Sequence, residues 1–514
     1  MTDRRPTFPF RPAALAVALV AMGVAAGLGA RAQDAGLGLR RDDGRGPLSI
    51  PAAATRGGSE PSEAAPARPG QRSATRRQRR AAAAQVRVQV RAQVRAPVRV
   101  PTIASGVARE VQAPVAVMAE PAEPLAIRRR RAPPDDPYAS LGLRLGGLTV
   151  FPAIEQSVGH DSNPNRVERA RKGSLVSRTE GELRLQSDWS VHEFSGSLRG
   201  AYSAYPDVKG ADRPEGAGKI NLRLDASRDT RFDLEGRFEL DTLRPGSPDL
   251  RETGIVDRPL IARSGASLGV THRMNHLLLG LKGSIDRTVY DDARLSDGSL
   301  LDQSDRDRTQ YELSLRAGYE LTPGLIPFVE AGIDTRDYDR TVDFTGYARS
   351  SDGVSLKAGT TFELSRILTG EVSAGYQQRR YDDPRLRDMR GPIADAALIW
   401  QATPLTTVRL RGTSQLGETT LEGSSGAIIR TATLEVQHDL RRNLSVIGAL
   451  SLTDADYKGV RLREQGYAAS AKMEYKLTRS VALKASFTHE RLKSTAEGSD
   501  YTANVFLVGL RFQP

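Results

Sequence analysis

Cysteine is absent from the 514 residues. That excludes a disulfide framework and a lipid-modified cysteine anchor, whatever the redox state of the compartment. Aromatic residues make up only 5%, with two tryptophans, so any core or girdle built on rings must be sparse. Beyond the N-terminal segment no run reaches the roughly 18 uninterrupted apolar residues of a membrane helix. An exported chain without such helices can still cross a membrane, but only as a closed barrel whose backbone groups are all paired.

What is present begins with an export pattern. Arg4, Arg5 and Arg11 precede an apolar run from Ala13 to Leu28, and Ala30-Arg31-Ala32 supplies a small-x-small site before Gln33. This three-part arrangement predicts a cleaved signal peptide over residues 1–32. The net charge of +12 is unevenly spread. Residues 33–140 carry roughly nine more basic than acidic side chains and the signal region about three, which leaves the remainder near zero. The excess therefore sits on an exported extension, and nucleic-acid binding is excluded as a role.

Residues 33–135 are rich in Ala, Pro, Arg and Gly and almost lack aromatics. Such a segment cannot bury enough apolar surface to offset the entropy of ordering, so a disordered periplasmic extension is expected. Within it, "QVRVQVRAQVRAPVRV" (Gln85 to Val100) alternates Val and Arg. Pro97 interrupts the pattern, which favours a solvated spacer. The alternative is a cationic arm that contacts peptidoglycan or an acidic polysaccharide. A second basic knot, Ile127 to Asp136, precedes the folded part.

From about Leu145 the pattern changes to long alternating ribbons. In "RFDLEGRFEL", Phe232, Leu234, Gly236, Phe238 and Leu240 share one face, and Arg231, Asp233, Glu235, Arg237 and Glu239 the other, because successive strand side chains point to opposite sides. The same division recurs in "HEFSGSLRGAYSAY", "YELSLRAGYEL", "VSLKAGTTFEL" and "YAASAKMEYKL". Eight tight links, such as "SRDTR", "LTPGL" and "ATPLT", alternate with long polar stretches such as "DDARLSDGSLLDQSDRDR". Eight hairpins plus one strand at each end predict about eighteen strands. Stacked soluble sandwiches would show linkers and strands of about five or six residues.

The fold expected for 136–514 is thus all-β: an antiparallel transmembrane outer-membrane β-barrel with tight periplasmic turns and long external loops. The apolar faces turn to lipid and the charges line a lumen. Trp189, Tyr202, Tyr205, Tyr376, Tyr381, Trp400 and Tyr475 lie towards strand ends, where an interfacial girdle belongs. At the C-terminus, Phe506, Val508, Leu510 and Phe512 alternate, resembling the terminal strand that the barrel-assembly machinery recognises.

Pore-lining candidates follow from the alternation: Arg199, Arg223, Arg237, Glu235, Glu239, Glu312, Arg316, Glu320, Lys357, Glu363, Arg409, Arg411, Lys472 and Glu474. Interspersed signs organise water and give only weak ion selectivity, and many such charges simply pair across strands. No catalytic constellation emerges. Three of the six histidines, His272, His276 and His438, fall at tight turns, and Ser486 and His489 are three residues apart on one strand, hence on opposite faces. The carboxylates of Asp291, Asp292, Asp297, Asp302, Asp305 and Asp307 crowd one loop, but Arg306 and Arg308 interleave and the spacing is not that of a calcium loop. No metal or cofactor is expected, and no enzyme.

The stretch "DPYASLGLRLGGLTVFPAIEQSVGHDSNPN", starting at Asp136, with its Asp-Pro-Tyr-Ala, Leu-Gly-Leu-Arg, Phe-Pro-Ala-Ile-Glu and Asp-Ser-Asn-Pro elements, resembles the outer-membrane beta-barrel porin type 2 family. The resemblance runs from Asp136 to the C-terminus and implies an outer-membrane barrel, some relatives being associated with exopolysaccharide export. It brings no catalytic residues. The function expected is a passive pore for small hydrophilic solutes. The alternatives are a non-enzymatic barrel serving polysaccharide export or envelope organisation, and a closed barrel filled by side chains or by the extension. Expected partners are outer-membrane lipid and lipopolysaccharide, together with the assembly machinery.

Overall fold

A computed structural model describes residues 137–514, except 244–246, 248–254, 256 and 366. The expected signal peptide (1–32), the extension (33–135), its Val/Arg segment and the basic knot lie outside the described residues.

Eighteen long antiparallel strands form one closed sheet. The first six are β1 Leu148–Asp161, β2 Ser174–Ser187, β3 Glu193–Ala204, β4 Arg213–Asp225, β5 Thr230–Thr242 and β6 Leu260–Met274. Then come β7 Leu277–Tyr290, β8 Arg308–Tyr319, β9 Leu325–Tyr338, β10 Ser351–Ser365, β11 Leu368–Tyr381 and β12 Met389–Thr403. The last are β13 Thr406–Gly417, β14 Gly426–Arg441, β15 Leu444–Lys458, β16 Arg463–Lys476, β17 Val481–Ser494 and β18 Tyr501–Phe512. Each pairs with its sequence neighbours, and β1 closes the ring on β18 with Ile154 opposite Phe512 and Asp161 opposite Val505. The short segment Leu143–Leu145 folds back on β1. Strands of 12 to 16 residues exceed what a tilted strand needs to cross a bilayer, about 9–11.

The two rims differ. At one, tight turns join β2–β3, β4–β5 and so on. The link from Met274 to Leu277 needs only Asn275 and His276, with Asn275 supplying the positive φ of 56° that such hairpins demand. Register shifts at Glu363/Ser365, Trp400/Thr403 and Asp439/Arg441 mark bulges beside these turns. Both ends of the described chain meet at this rim, where Arg479 Nε donates to the Pro137 carbonyl at 2.6 Å and Gln513 N to the Ser480 carbonyl at 2.9 Å. The longer links, including 162–173, 291–307, 339–350 and 418–425, gather at the opposite rim.

Burial is inverted relative to a soluble sandwich. Leu313, Leu315, Val329, Ile333, Val354 and Leu356 project outward at 46–61% exposure, while the charges alternating with them face the interior. An apolar outer band and a polar interior is the arrangement lipid requires. The buried apolar clusters instead lie at the long-link rim, as with Tyr381, Leu386, Met389, Leu416 and Ile428, or Ala427, Ile429, Ala455, Tyr457 and Leu462. The girdle expectation needs one correction. Tyr202, Tyr376 and Trp400 are about half exposed, but Tyr205 and Tyr381 are buried. They pack under the long links, where the Tyr205 hydroxyl approaches Asp161 and that of Tyr381 approaches Met389.

Candidate functional site

Inside the barrel, register puts charges from successive strands level with one another. Glu330 of β9 stands opposite Arg316 on β8 and Lys357 on β10. Arg316 donates to Glu330 at 2.7 Å and to Glu371 at 2.8 Å, and Lys357 reaches Glu330 at 3.0 Å and Asp395 at 3.4 Å. A second group joins Arg237 to Glu235 at 2.9 Å and to Asp286, with Lys219 at 3.4 Å from Glu235. Arg199 grips both oxygens of Glu180 at 2.7 Å. Arg409 meets Glu435 at 2.6 Å. These groups form a belt of alternating sign at mid-height, and it is not sealed. Side-chain exposure in the Arg316–Lys357 group runs from 12% at Glu371 to 30% at Asp395.

Glycines create room within the belt. Gly265 lies in register between Arg237 and Asp286, and a Cβ there would stand 2.2 Å from Asp286 Oδ1. Nearer the long links, Gly353 separates Asp334 from Arg379 in the same way, its Cβ 2.2 Å from Asp334 Oδ2. In each case an arginine passes over the intervening strand to a carboxylate two strands away, and Arg379 pairs with Asp334.

Other candidates sit towards the rims. Arg223 pairs with Asp225 at 2.9 Å and Glu320 with Arg273 at 3.0 Å near the tight turns, and Glu239 with Arg263 at 2.9 Å nearer the long links. Among the described residues Glu312, Glu363, Arg411, Lys472 and Glu474 make no ion pair. They face inward by register, opposite Asp334, Thr369, Thr433, Ser486 and Lys484 respectively. The outward row of β18 exposes Phe506, Leu510 and Phe512 about half, with Val508 partly covered. Ser486 faces the lumen opposite Lys472, whereas His489 faces outward beside Tyr467 and Asn504. The loop aspartates are engaged locally: Asp302 with Arg340, Asp305 with the Phe344 N–H and Asp307 with the Tyr290 N–H.

The long-link mouth is built by residues that strand periodicity does not mark. Link 418–425 is drawn against strands and links four positions away around the ring. Glu418 accepts from Arg336 and from the Tyr338 hydroxyl, the latter at 3.0 Å. Arg349, 2% exposed, donates to the carbonyls of Thr419 at 2.8 Å, Ser424 at 2.9 Å and Leu421 at 3.1 Å, and its Nε is held by Asp343. Asp343 is in a link outside the spanning strands. Burial pushes its carboxyl up, but the Arg349 guanidinium, the Thr345 hydroxyl and the Tyr347 N–H together hold it below the ordinary range. Only about 10 Å³ of cavity remains among Tyr290, Arg306, Arg308, Tyr338 and Glu418 to Thr420, about the room of one water. On the other side of the mouth, Asp161, Asn163, Pro164 and Arg166 play a similar part. Arg166 bonds both Asp161 and Glu490 at 2.8 Å, and the Pro164 carbonyl accepts from Arg258 at 2.5 Å and Arg213 at 3.4 Å. The Asp-Ser-Asn-Pro element read from the sequence is therefore a fastener for an inward-folded link. A sequence signal existed in the interleaved Arg and Asp of these loops, but it read equally well as solvated charge.

Residues 136–514 match the family described as "Putative beta-barrel porin 2". No curated protein matches the chain. Among solved structures, OpdL of Pseudomonas aeruginosa overlaps 72% of this chain and 99% of its own at 14% identity and a TM-score of 0.35. OccK2 (OpdF) of the same organism overlaps 71% and 98% at 11% identity and 0.35, and OccAB3 of Acinetobacter baumannii 71% and 99% at 9% identity and 0.35. At such scores these overlaps add nothing to the barrel already described.

Proposed function

Because the chain belongs to this beta-barrel porin family, and so is a porin-like barrel of the outer membrane, we propose that it is a passive pore for small hydrophilic solutes. The observation that carries this reading is the mid-lumen belt. In its Arg316–Lys357 group the carboxylates, the guanidinium and Lys357 face the inside of a closed sheet and still keep 12–30% of their surface accessible. Charged groups retain solvent contact in such a place only if water enters, since an unhydrated interior of this kind is strongly unfavourable. Barrels of 16 to 18 strands are wide enough for an aqueous channel. The links that fold inward at the long-link mouth, external by the usual orientation of such barrels, then narrow the entrance. Balanced signs in the belt give a weak ion preference. The role is conduction and not catalysis, in keeping with Ser486 and His489 facing opposite sides of the wall.

Single-channel recording of the refolded mature protein in a planar bilayer, with and without residues 33–134, tests the proposal. Stepwise conductance with a cation-to-anion permeability ratio near one is expected. Conductance only after truncation would make the extension a plug. Silence in both forms would overturn the pore.

A further inference from the structure

On the outer wall beneath the long-link rim, β14 to β17 carry an excess of positive charge. Arg430, Asp454, Gln465 and Lys493 lie side by side in register across four consecutive strands. One step towards mid-membrane, Arg491 stands opposite Tyr467. These residues belong to the outward row, as shown by Leu450 and Leu452 of the same face, exposed at 41% and 49%. Asp454 is shared by Arg430 at 3.0 Å and Arg463 at 2.8 Å. Among the described residues Arg491 and Lys493 have no ion-pair partner. With Asp456, which faces Arg463 in register and pairs with Lys458, the patch sets five cations (Arg430, Lys458, Arg463, Arg491 and Lys493) against two carboxylates.

Elsewhere at this level outward cations are isolated or face a carboxylate: among the described residues Arg390 stands alone opposite Gln378, and Arg380 lies opposite Asp352. Arg287, outward on β7, is matched by Asp339 through both of its terminal nitrogens. The β14–β17 patch also has shape. Arg430, Asp454, Gln465, Arg491 and Lys493 rim a recess of about 520 Å³ floored by Ala432, Leu452 and Tyr467. Below it the wall continues with exposed Leu434, Leu450 and Phe487.

We infer that this recess binds the phosphorylated headgroup of an outer-leaflet glycolipid. A phosphate monoester brings up to two negative charges and several strong acceptors, which suit guanidinium and ammonium donors held apart in a row. Placed at the long-link rim, the cations sit at the height of outer-leaflet headgroups. The apolar strip beneath them matches acyl chains. A soluble phosphate would use the cations and ignore that strip, so the two features together select a lipid.

The test uses the full mature chain in detergent, titrated with fluorescent diphosphorylated lipid A and, separately, with a zwitterionic phosphatidylcholine. The variants are Arg491→Gln/Lys493→Gln and, as an outward control, Arg287→Gln. Heat-modifiable migration on gels verifies that each barrel is folded, and the Gln pair breaks no ion pair. The inference expects lipid A retention to fall at least ten-fold in the pair and to stay within two-fold in the control, with little retention of phosphatidylcholine by any form. Equal lipid A retention by the parent and the folded pair would overturn it. Displacement of lipid A by millimolar inorganic pyrophosphate as effectively as by unlabelled lipid A would also overturn it, by showing a free-phosphate site.

Discussion

Arg237 and Asp286 stand on strands that do not adjoin, β5 and β7, and join over Gly265 of the strand between them. The pair therefore ties three strands with one contact, and it exists only because the middle position lacks a side chain.

Filling that position should break the tie. In Gly265→Val the new Cβ would stand within 2.2 Å of the Asp286 carboxylate and 2.9 Å from Arg237 Nε. The pair must separate or the strands must shift. A loss of about 1–3 kcal/mol is expected from overpacking, read as a lower urea midpoint in a folding titration. Gly353→Val should behave alike, for the same contact at Asp334.

The two faces of β14 should respond oppositely to charge. Leu434 is outward and 40% exposed, and Thr433 is inward opposite Arg411. Leu434→Arg should cost about 2–4 kcal/mol near the membrane midplane. Thr433→Glu, which gives Arg411 a partner, should cost less than about 1 kcal/mol. Refolding into vesicles of both variants measures the difference, and equal costs would contradict the assigned faces.

Arg349 should control the width of the mouth. Its guanidinium holds three carbonyls of link 418–425 while pairing with Asp343. Arg349→Ala leaves a buried carboxylate uncompensated, worth about 3–5 kcal/mol, so the link should detach. Larger and noisier single-channel steps are expected, with the melting of the strands little changed.

The same pair fixes a pH dependence. The Asp343 carboxyl is held below its ordinary range, so its contribution to link docking is fully present above the unfolded value of about 3.9. It is lost as pH falls through the lower, folded value. Conductance should therefore be unchanged from pH 7 to about pH 5 as far as this pair is concerned. Asp343→Asn should open the mouth already at pH 7.

Much of the wall was legible because a membrane barrel writes its fold in period two. Each residue of "RFDLEGRFEL" has one of two destinations, and the eight tight turns fix the count. Partnerships within the lumen were less legible. The alternation identifies Arg237 and Arg316 as inward but does not say that their partners are Asp286 and Glu371, since that depends on register and on where glycine leaves room. The mouth was least legible. Tyr205 and Tyr381 look like girdle residues by position along their strands, yet the links above them fold in and supply the burial. Glu418 and Arg336 meet across four strands, a contact that depends on the curvature of the closed sheet and leaves no periodic trace.

The seam between β1 and β18 has a consequence for assembly. Outside it every strand edge is paired with a strand next to it in sequence, but the Ile154–Asp161 edge of β1 stays unpaired until the last strand arrives. Bringing those ends together costs loop-closure entropy that grows only slowly with the length between them. A nascent or truncated sheet lacking Tyr501–Phe512 remains an open ribbon with two sticky borders, exposed to pairing with other chains. Ser162 and Asn504, which exchange hydrogen bonds of 2.8 and 2.9 Å beside that seam, can form their clasp only as the ring shuts, so the completed clasp marks the moment at which the ribbon becomes a barrel.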